Sequence, residues 1–203
     1  SLHQLMLASY QLLLSRYSGQ DDLIVGTPHA NRGVVEIANT VGYFVNPLAI
    51  RTRIDREAGF SDLLAVVRAN FLSAIEHGEI PFSELVNDLQ VDRSARYAPL
   101  FQALYSFQSD EDAHRSIAGF SCRPLALRNA SAKFDLSLVV SDGAQLGLSF
   151  EYSADLFDPA TIEQMASNFV TLLHGLVAEP DRAIGTLPLV DARERERLLH
   201  EFN

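Results

Sequence analysis

Histidine, cysteine and serine are the side chains best able to do acid–base, metal or covalent chemistry, and in this chain they do not gather. The six histidines, His3, His29, His77, His114, His174 and His200, form no HExxH pair, and the single cysteine, Cys122, leaves no cysteine–histidine set at zinc-ligand spacing. No GxSxG elbow presents a nucleophilic serine, and no glycine-rich loop runs into Lys-Ser/Thr. Gly26-Thr-Pro28 holds one glycine, too few to cradle a phosphate. No catalytic constellation and no metal site are therefore expected within these residues: the chain is a binding module, or its reactive groups lie elsewhere. What the sequence does offer is a shaped polar loop, Gly26-Thr-Pro-His-Ala-Asn-Arg32, followed by Val41-Gly-Tyr-Phe-Val-Asn-Pro-Leu48. Loops of this composition carry function on rigid scaffolds.

The elements that must position these residues follow from periodicity. Residues 2–17 are apolar nearly all round, which predicts a buried helix, with Gly19 as its stop. Leu23-Ile-Val25 is a short apolar run bounded by turn signals and reads as a strand covered on both faces. Tyr43 to Ile54 reads as a second strand, where Pro47 demands an edge or a bulge. Phe60 to Ile75 keeps helical spacing, with Ser61 or Asp62 as cap and Gly78 as its end. Pro81 opens a short helix through Leu89, Leu100 to Phe107 is a strand, and residues 109–116 are a polar connection. Phe134–Val140 and Leu146–Tyr152 alternate cleanly around Asp142-Gly143, which signals a type I′ hairpin. Asp158-Pro159 opens a long helix with a stripe at Ile162, Met165, Phe169, Leu173 and Leu176. After Ala178 the texture turns irregular and then charged, so residues 1–178 are read as the lobe and 179–203 as a linker toward another domain.

Composition narrows the class. Apolar residues make up 47% and charged residues 21%, an ordinary globular mixture with enough for a core. A net charge of −10 opposes binding to a nucleic-acid backbone and suits a cytoplasmic protein. One cysteine permits a reducing compartment, and neither a membrane span nor a secretory signal is visible. The abrupt opening in an apolar helix suggests a fragment of a longer polypeptide.

Four segments in order carry a family likeness: Tyr17–Arg32, Val41–Leu48, His77-Gly-Glu-Ile-Pro-Phe-Ser-Glu-Leu-Val86, and Arg93-Ser-Ala-Arg-Tyr-Ala-Pro-Leu-Phe-Gln102. With Phe134-Asp-Leu136 and the run from Gly185 to Asn203, they resemble the C-terminal lobe of condensation domains from nonribosomal peptide synthetases. The resemblance implies an α/β fold of the chloramphenicol-acetyltransferase type, a mixed sheet packed by helices, forming one half of a two-lobe domain. It implies formation of an amide bond between an acyl or peptidyl donor and an aminoacyl acceptor. Both ride on phosphopantetheine arms of carrier proteins, so no cofactor binds the domain directly. The implied partners are an N-terminal lobe, upstream and downstream carrier proteins and an adenylation domain. One departure dominates: the family's His-His-x-x-x-Asp-Gly signature is absent, as expected if it sits on the other lobe. Pro47 also stands where threonine is frequent, and Phe202 where tryptophan is. A non-catalytic docking or gating module, an epimerisation or cyclisation relative, and another acyltransferase are the alternatives.

The resemblance assigns roles residue by residue. Arg32 pairs with the acidic residue of the missing signature and holds the lobes in register, or is a solvated loop arginine. Asn46 points its amide into the tunnel, or bonds backbone near Pro47. Tyr43 and Phe44 alternate on their strand, so only one can face the tunnel, or both are packing residues. Gln102, Tyr105 and Phe107 shape the acceptor pocket, or are core.

Overall fold

The computed structural model describes residues 1–91, 97–109, 116–117, 120–121 and 131–200. Residues 110–115 of the expected polar connection at 109–116, the segment 92–96, Cys122 and the last three residues lie outside them, while Ser109 and Ser116 are strand ends. A five-stranded sheet in the order β2-β1-β3-β6-β7 organises the chain. Its strands are β1 (Asp22–His29), β2 (Asn46–Arg53), β3 (Ala103–Ser109), β6 (Leu136–Asp142) and β7 (Leu146–Tyr152). Two short strands, β4 (Ser116–Ile117) and β5 (Phe120–Ser121), pair separately. The inner strands β1, β3 and β6 run parallel, while β2 and β7 close the two edges antiparallel. Pro47 therefore sits on an edge strand, where a missing donor costs no ladder bond.

Helix α1 (Leu2–Ser18) lies against β1 and β3, between α2 (Phe60–Glu76) and α4 (Pro159–Ala178). Its residues Met6, Leu7, Ala8, Tyr10, Leu12 and Leu13 are buried, as its nearly continuous apolar surface requires. Ser1 and Gln4 form a capping box, and Gly19 ends the helix at φ 72°, returning its N–H to the Ser15 carbonyl. One face of the sheet meets this helical layer through Leu23, Val25, Leu48, Ile50, Tyr105, Leu138 and Val140. The other face is only half covered, so Ile24 is partly exposed and β1 is not buried on both sides.

Three local expectations are corrected. The cap of α2 is Gly59, not Ser61 or Asp62: the amides of Phe60 and Ser61 donate to the Pro180 carbonyl at 2.7 and 3.4 Å. The β6–β7 connection is a three-residue loop, because Asp142 pairs with Leu146 and Gly143 does not take the positive φ of a type I′ turn. Leu146, at the outer end of β7, is 47% exposed, while Leu148, Phe150 and Tyr152 pack on the core.

The texture change at Ala178 does not mark the end of the packing. Ile184 and Leu187 are fully buried in the common core. Backbone bonds tie Ile184 to Ala58 and Gly185 to Arg56, and the Arg16 guanidinium donates to the carbonyls of Ile184 and Leu187 at 3.2 and 3.0 Å. Beyond this strap, α5 (Ala192–His200) begins with Asp191 capping the amide of Glu194. Helix α3 (Phe82–Asp88) packs beside β2.

Candidate functional site

The C-terminal end of β1 is where the shaped loop leaves the sheet. Gly26 lies against the Phe101 ring so closely that a Cβ there would fall 2.0 Å from Phe101 Cε2. Phe101 is buried, stacked on Phe134 and tilted against Phe82, and the preceding Leu100 takes φ 67°. A left-handed leucine is strained, and here the reward is the placement of that ring. Asn31 takes φ 50°, a conformation asparagine tolerates, and Arg32 follows.

Arg32 is held by its own loop. Its Nη1 donates to the carbonyls of Ile37, Thr40 and Ala38 at 2.7, 2.8 and 3.4 Å, and Nη2 to Gly42 at 3.3 Å. The guanidinium carbon lies 4.3 Å from the centre of the Phe44 ring, a cation–π contact. These contacts are local and differ from those of a solvated arginine. A cleft of about 620 Å³ opens beside it. Arg32, Val34, Ile37 and Phe44 line one side, and Ile75, Glu76 and Glu79 the other.

Tyr43 is not on a strand. β2 starts at Asn46, three residues later than its apolar pattern suggests, because residues 41–44 follow the carbonyl-to-Arg32 bonds instead of the β1 ladder. The alternation argument for Tyr43 and Phe44 therefore fails: Phe44 lies under the guanidinium, and Tyr43 is 87% exposed. Asn46 is buried, donating from Nδ2 to the carbonyls of Gly78 and Ile80 and accepting the Phe82 amide on Oδ1. It clamps the α2–α3 turn, and its amide does not face an open passage.

Tyr105 and Phe107 belong to the interior, because their β3 side points at the helices. Tyr105 is fully buried, donates to the His3 carbonyl at 2.9 Å, and has its phenol pKa pushed up by burial. Phe107 packs on the core and on the His3 ring at 5.3 Å. Burial also lowers the His3 pKa. Gln102 is exposed at the opposite end of the sheet, bonded to the Ala98 carbonyl and lining an apolar groove with Leu14, Tyr17, Leu23 and Met165. The structure thus brings Arg32 and Asn46 to one end of the sheet with Tyr43 beside them, leaves Gln102 at the other end, and turns Tyr105 and Phe107 into the helical layer. His77, at the end of α2, bonds the Ser73 carbonyl through Nδ1. Sequence reasoning missed Glu76 and Glu79 on the cleft and the Gly26–Phe101 contact. Glu76 lies outside every quoted segment, Glu79 stands inside the third one with nothing to mark it as a cleft residue, and the glycine and the ring are 75 residues apart.

A mixed sheet of this order, packed by helices with a shaped loop at the end of a parallel strand, defines an α/β lobe of the chloramphenicol-acetyltransferase type. It overlays a four-domain nonribosomal peptide synthetase, holo-AB3403 bound to AMP and glycine, at a TM-score of 0.87, 24% identity, and 96% of this chain but 16% of that one. The family model for the condensation domain matches residues 1–199, and the chain belongs to the condensation-domain family. It is 41% identical to a linear gramicidin synthase of Brevibacillus parabrevis over 207 residues, covering all of this chain and 3% of that protein. The starter condensation domain of rhizomide synthetase RzmA overlays at a TM-score of 0.75 with 23% identity, covering 94% of this chain and 45% of that one. The chain therefore spans a small part of its curated relative and less than half of a solved condensation domain. Among the described residues, no helix is long and apolar enough to cross a membrane, and no three His, Cys, Asp or Glu side chains gather as a metal site.

Proposed function

We propose that this chain is the C-terminal lobe of a nonribosomal peptide synthetase condensation domain and supplies the acceptor-side wall of its tunnel. In that reading the missing half brings the double-histidine signature, and the two lobes enclose a donor thioester and an acceptor amine. The acceptor nitrogen attacks the donor carbonyl, the carbon–sulfur bond to the donor's phosphopantetheine arm breaks, and the proton lost from nitrogen ends on that sulfur as the free thiol. Tethering both reactants in one passage supplies much of the acceleration. Upstream and downstream carrier proteins deliver the arms, and the segment after Leu189 leads toward an adenylation domain.

The observation that carries this reading is the family match across residues 1–199, in a chain that has no His-His pair. The test is reconstitution. Purified alone, with loaded donor and acceptor carriers, the 203-residue chain forms no dipeptide above the spontaneous rate; joined to an upstream half carrying the signature, it does. Turnover by the chain alone overturns the proposal. So does failure of a folded two-lobe protein to form the amide.

A further inference from the structure

The five-stranded sheet is joined thinly at its middle. β1 pairs with β2 from Asp22 to His29, and β3 pairs with β6 from Ala103 to Ser109. Between β1 and β3 the register holds one pair among the described residues, Gly26 with Leu104. The backbone ladder therefore divides into a β2–β1 ribbon and a β3–β6–β7 unit that meet at a point. Past Gly26 the ribbon sets Pro28 opposite Pro47, and neither proline has an N–H to donate. The ribbon then runs into Asn31, Arg32 and the 33–45 loop.

One side chain covers that meeting point. Val25 points into the helical layer, so Gly26 faces the opposite side of the sheet, and there the Phe101 ring occupies the space a Cβ on Gly26 would need. Phe101 is buried, apart from the common core. Its ring reaches both halves. On the ribbon side it lies on Gly26 and, at 5.3 Å, against Phe82, whose amide donates to Asn46 Oδ1 on β2. On the other side it stacks at 5.6 Å on Phe134, beside Asp135, whose amide donates to the Gln102 carbonyl. Leu100 holds a left-handed conformation immediately before it, a strain that persists only where the surroundings demand it.

We propose that Phe101 is a positioning residue: its ring pins the β2–β1 ribbon to β3 at Gly26 and so sets where the Arg32 loop and its cleft stand against the rest of the lobe. Its effect on turnover rests on reading the chain as part of a condensation domain. A flat ring is required, because only a flat group fits between the glycine backbone and the two flanking aromatic rings. Gly26 is required for the same reason, since any side chain there displaces the ring.

The first measurement uses the 203-residue chain carrying C122S, with spin labels at V41C on the loop and S149C on β7, both exposed positions. The parent gives one narrow distribution of label distances. F101L, which keeps an apolar side chain but loses the flat ring, shifts or broadens it, and G26A does the same by pushing the ring aside. L172A, a core truncation on α4, lowers the melting temperature and leaves the distribution alone. In the complete two-lobe domain, F101L and G26A lower kcat for dipeptide formation about tenfold or more, while KM for the loaded acceptor carrier stays within about twofold. The losses are not additive: G26A adds little in the F101L background, because the ring it would displace is already gone. Unchanged distances in F101L and G26A overturn the proposal. So do full turnover in F101L, losses confined to KM, losses that simply add, or an equal loss of kcat in folded L172A. Shifted distances in variants of a domain whose parent forms no amide sink the condensation reading and leave the pin standing.

Discussion

Two irregular segments of this lobe are held by the same device and put to opposite use. The strap at 180–187 is clamped by Arg16, which donates to the carbonyls of Ile184 and Leu187; the 33–45 loop is clamped by Arg32, which donates to those of Ile37, Ala38, Thr40 and Gly42. Behind the strap, Ile184 and Leu187 are buried completely. On the loop, Val35, Val41 and Tyr43 stand out into solvent. An arginine fork satisfies several backbone acceptors in either place. Whether the segment belongs to the core or to the exposed surface is decided by the side chains between the clamped carbonyls.

Truncation separates the two cases most strongly. Ile184→Ala and Leu187→Ala each leave a cavity in the common core, and either should cost about 2–5 kcal/mol in urea denaturation. Val41→Ala should fall within about 0.5 kcal/mol of the parent, because the side chain touches little. A large loss at Val41 would mean the loop packs on the lobe, and the contrast would break. The clamps come next. Arg16→Ala strands two carbonyls against a buried strap and should cost about 1–3 kcal/mol of global stability. Arg32→Ala should act locally, speeding amide exchange at residues 37–42 with a smaller change in the denaturation midpoint. Equal global losses would show that both segments are structural in the same sense.

The elements were largely legible in the sequence, and the contacts between them were not. The unbroken apolar surface of residues 2–17 and Gly19 located α1 to within a residue, because helix period and a left-handed stop are local properties. Pro47 announced the edge strand for an equally local reason. The family likeness, carried by ordered motifs, placed the chain among condensation domains, and the family match bears this out. By contrast, the Pro180 carbonyl that caps α2 lies over a hundred residues from that helix's start, and Phe101 fills the space above Gly26 across the sheet. No period encodes such pairings. Tyr105 and Phe107 could shape a pocket, though aromatic residues on a strand are usually core, and the side of β3 they occupy decides for the core. Arg32 stood out as a residue, yet its partners are backbone carbonyls, which every sequence possesses and none advertises.

Acid provides the smallest and most selective test of the contrast. The strap has a titratable brace: Asp21 accepts from Arg56 Nε at 2.6 Å and from Ser15 Oγ at 2.9 Å, and the Arg56 carbonyl in turn receives the Gly185 amide at 2.8 Å. The hydrogen bond from Arg56, then that from Ser15, holds the Asp21 carboxyl below its ordinary value of 3.8. A depressed carboxylate contributes its full stabilisation above the unfolded value and loses it as pH falls through the folded one. Protection factors of the Ile184 and Gly185 amides should therefore decline as pH drops below about 4, and Asp21→Asn should remove that step. The effect is small because the ion pair is exposed and screened by salt. The loop's clamp joins Arg32 to carbonyls and an aromatic ring, none of which titrates, so the amides at 37–42 should show no step in the same range. A matching step there would mean that an acidic group also braces the loop, and the two clamps would no longer differ in kind.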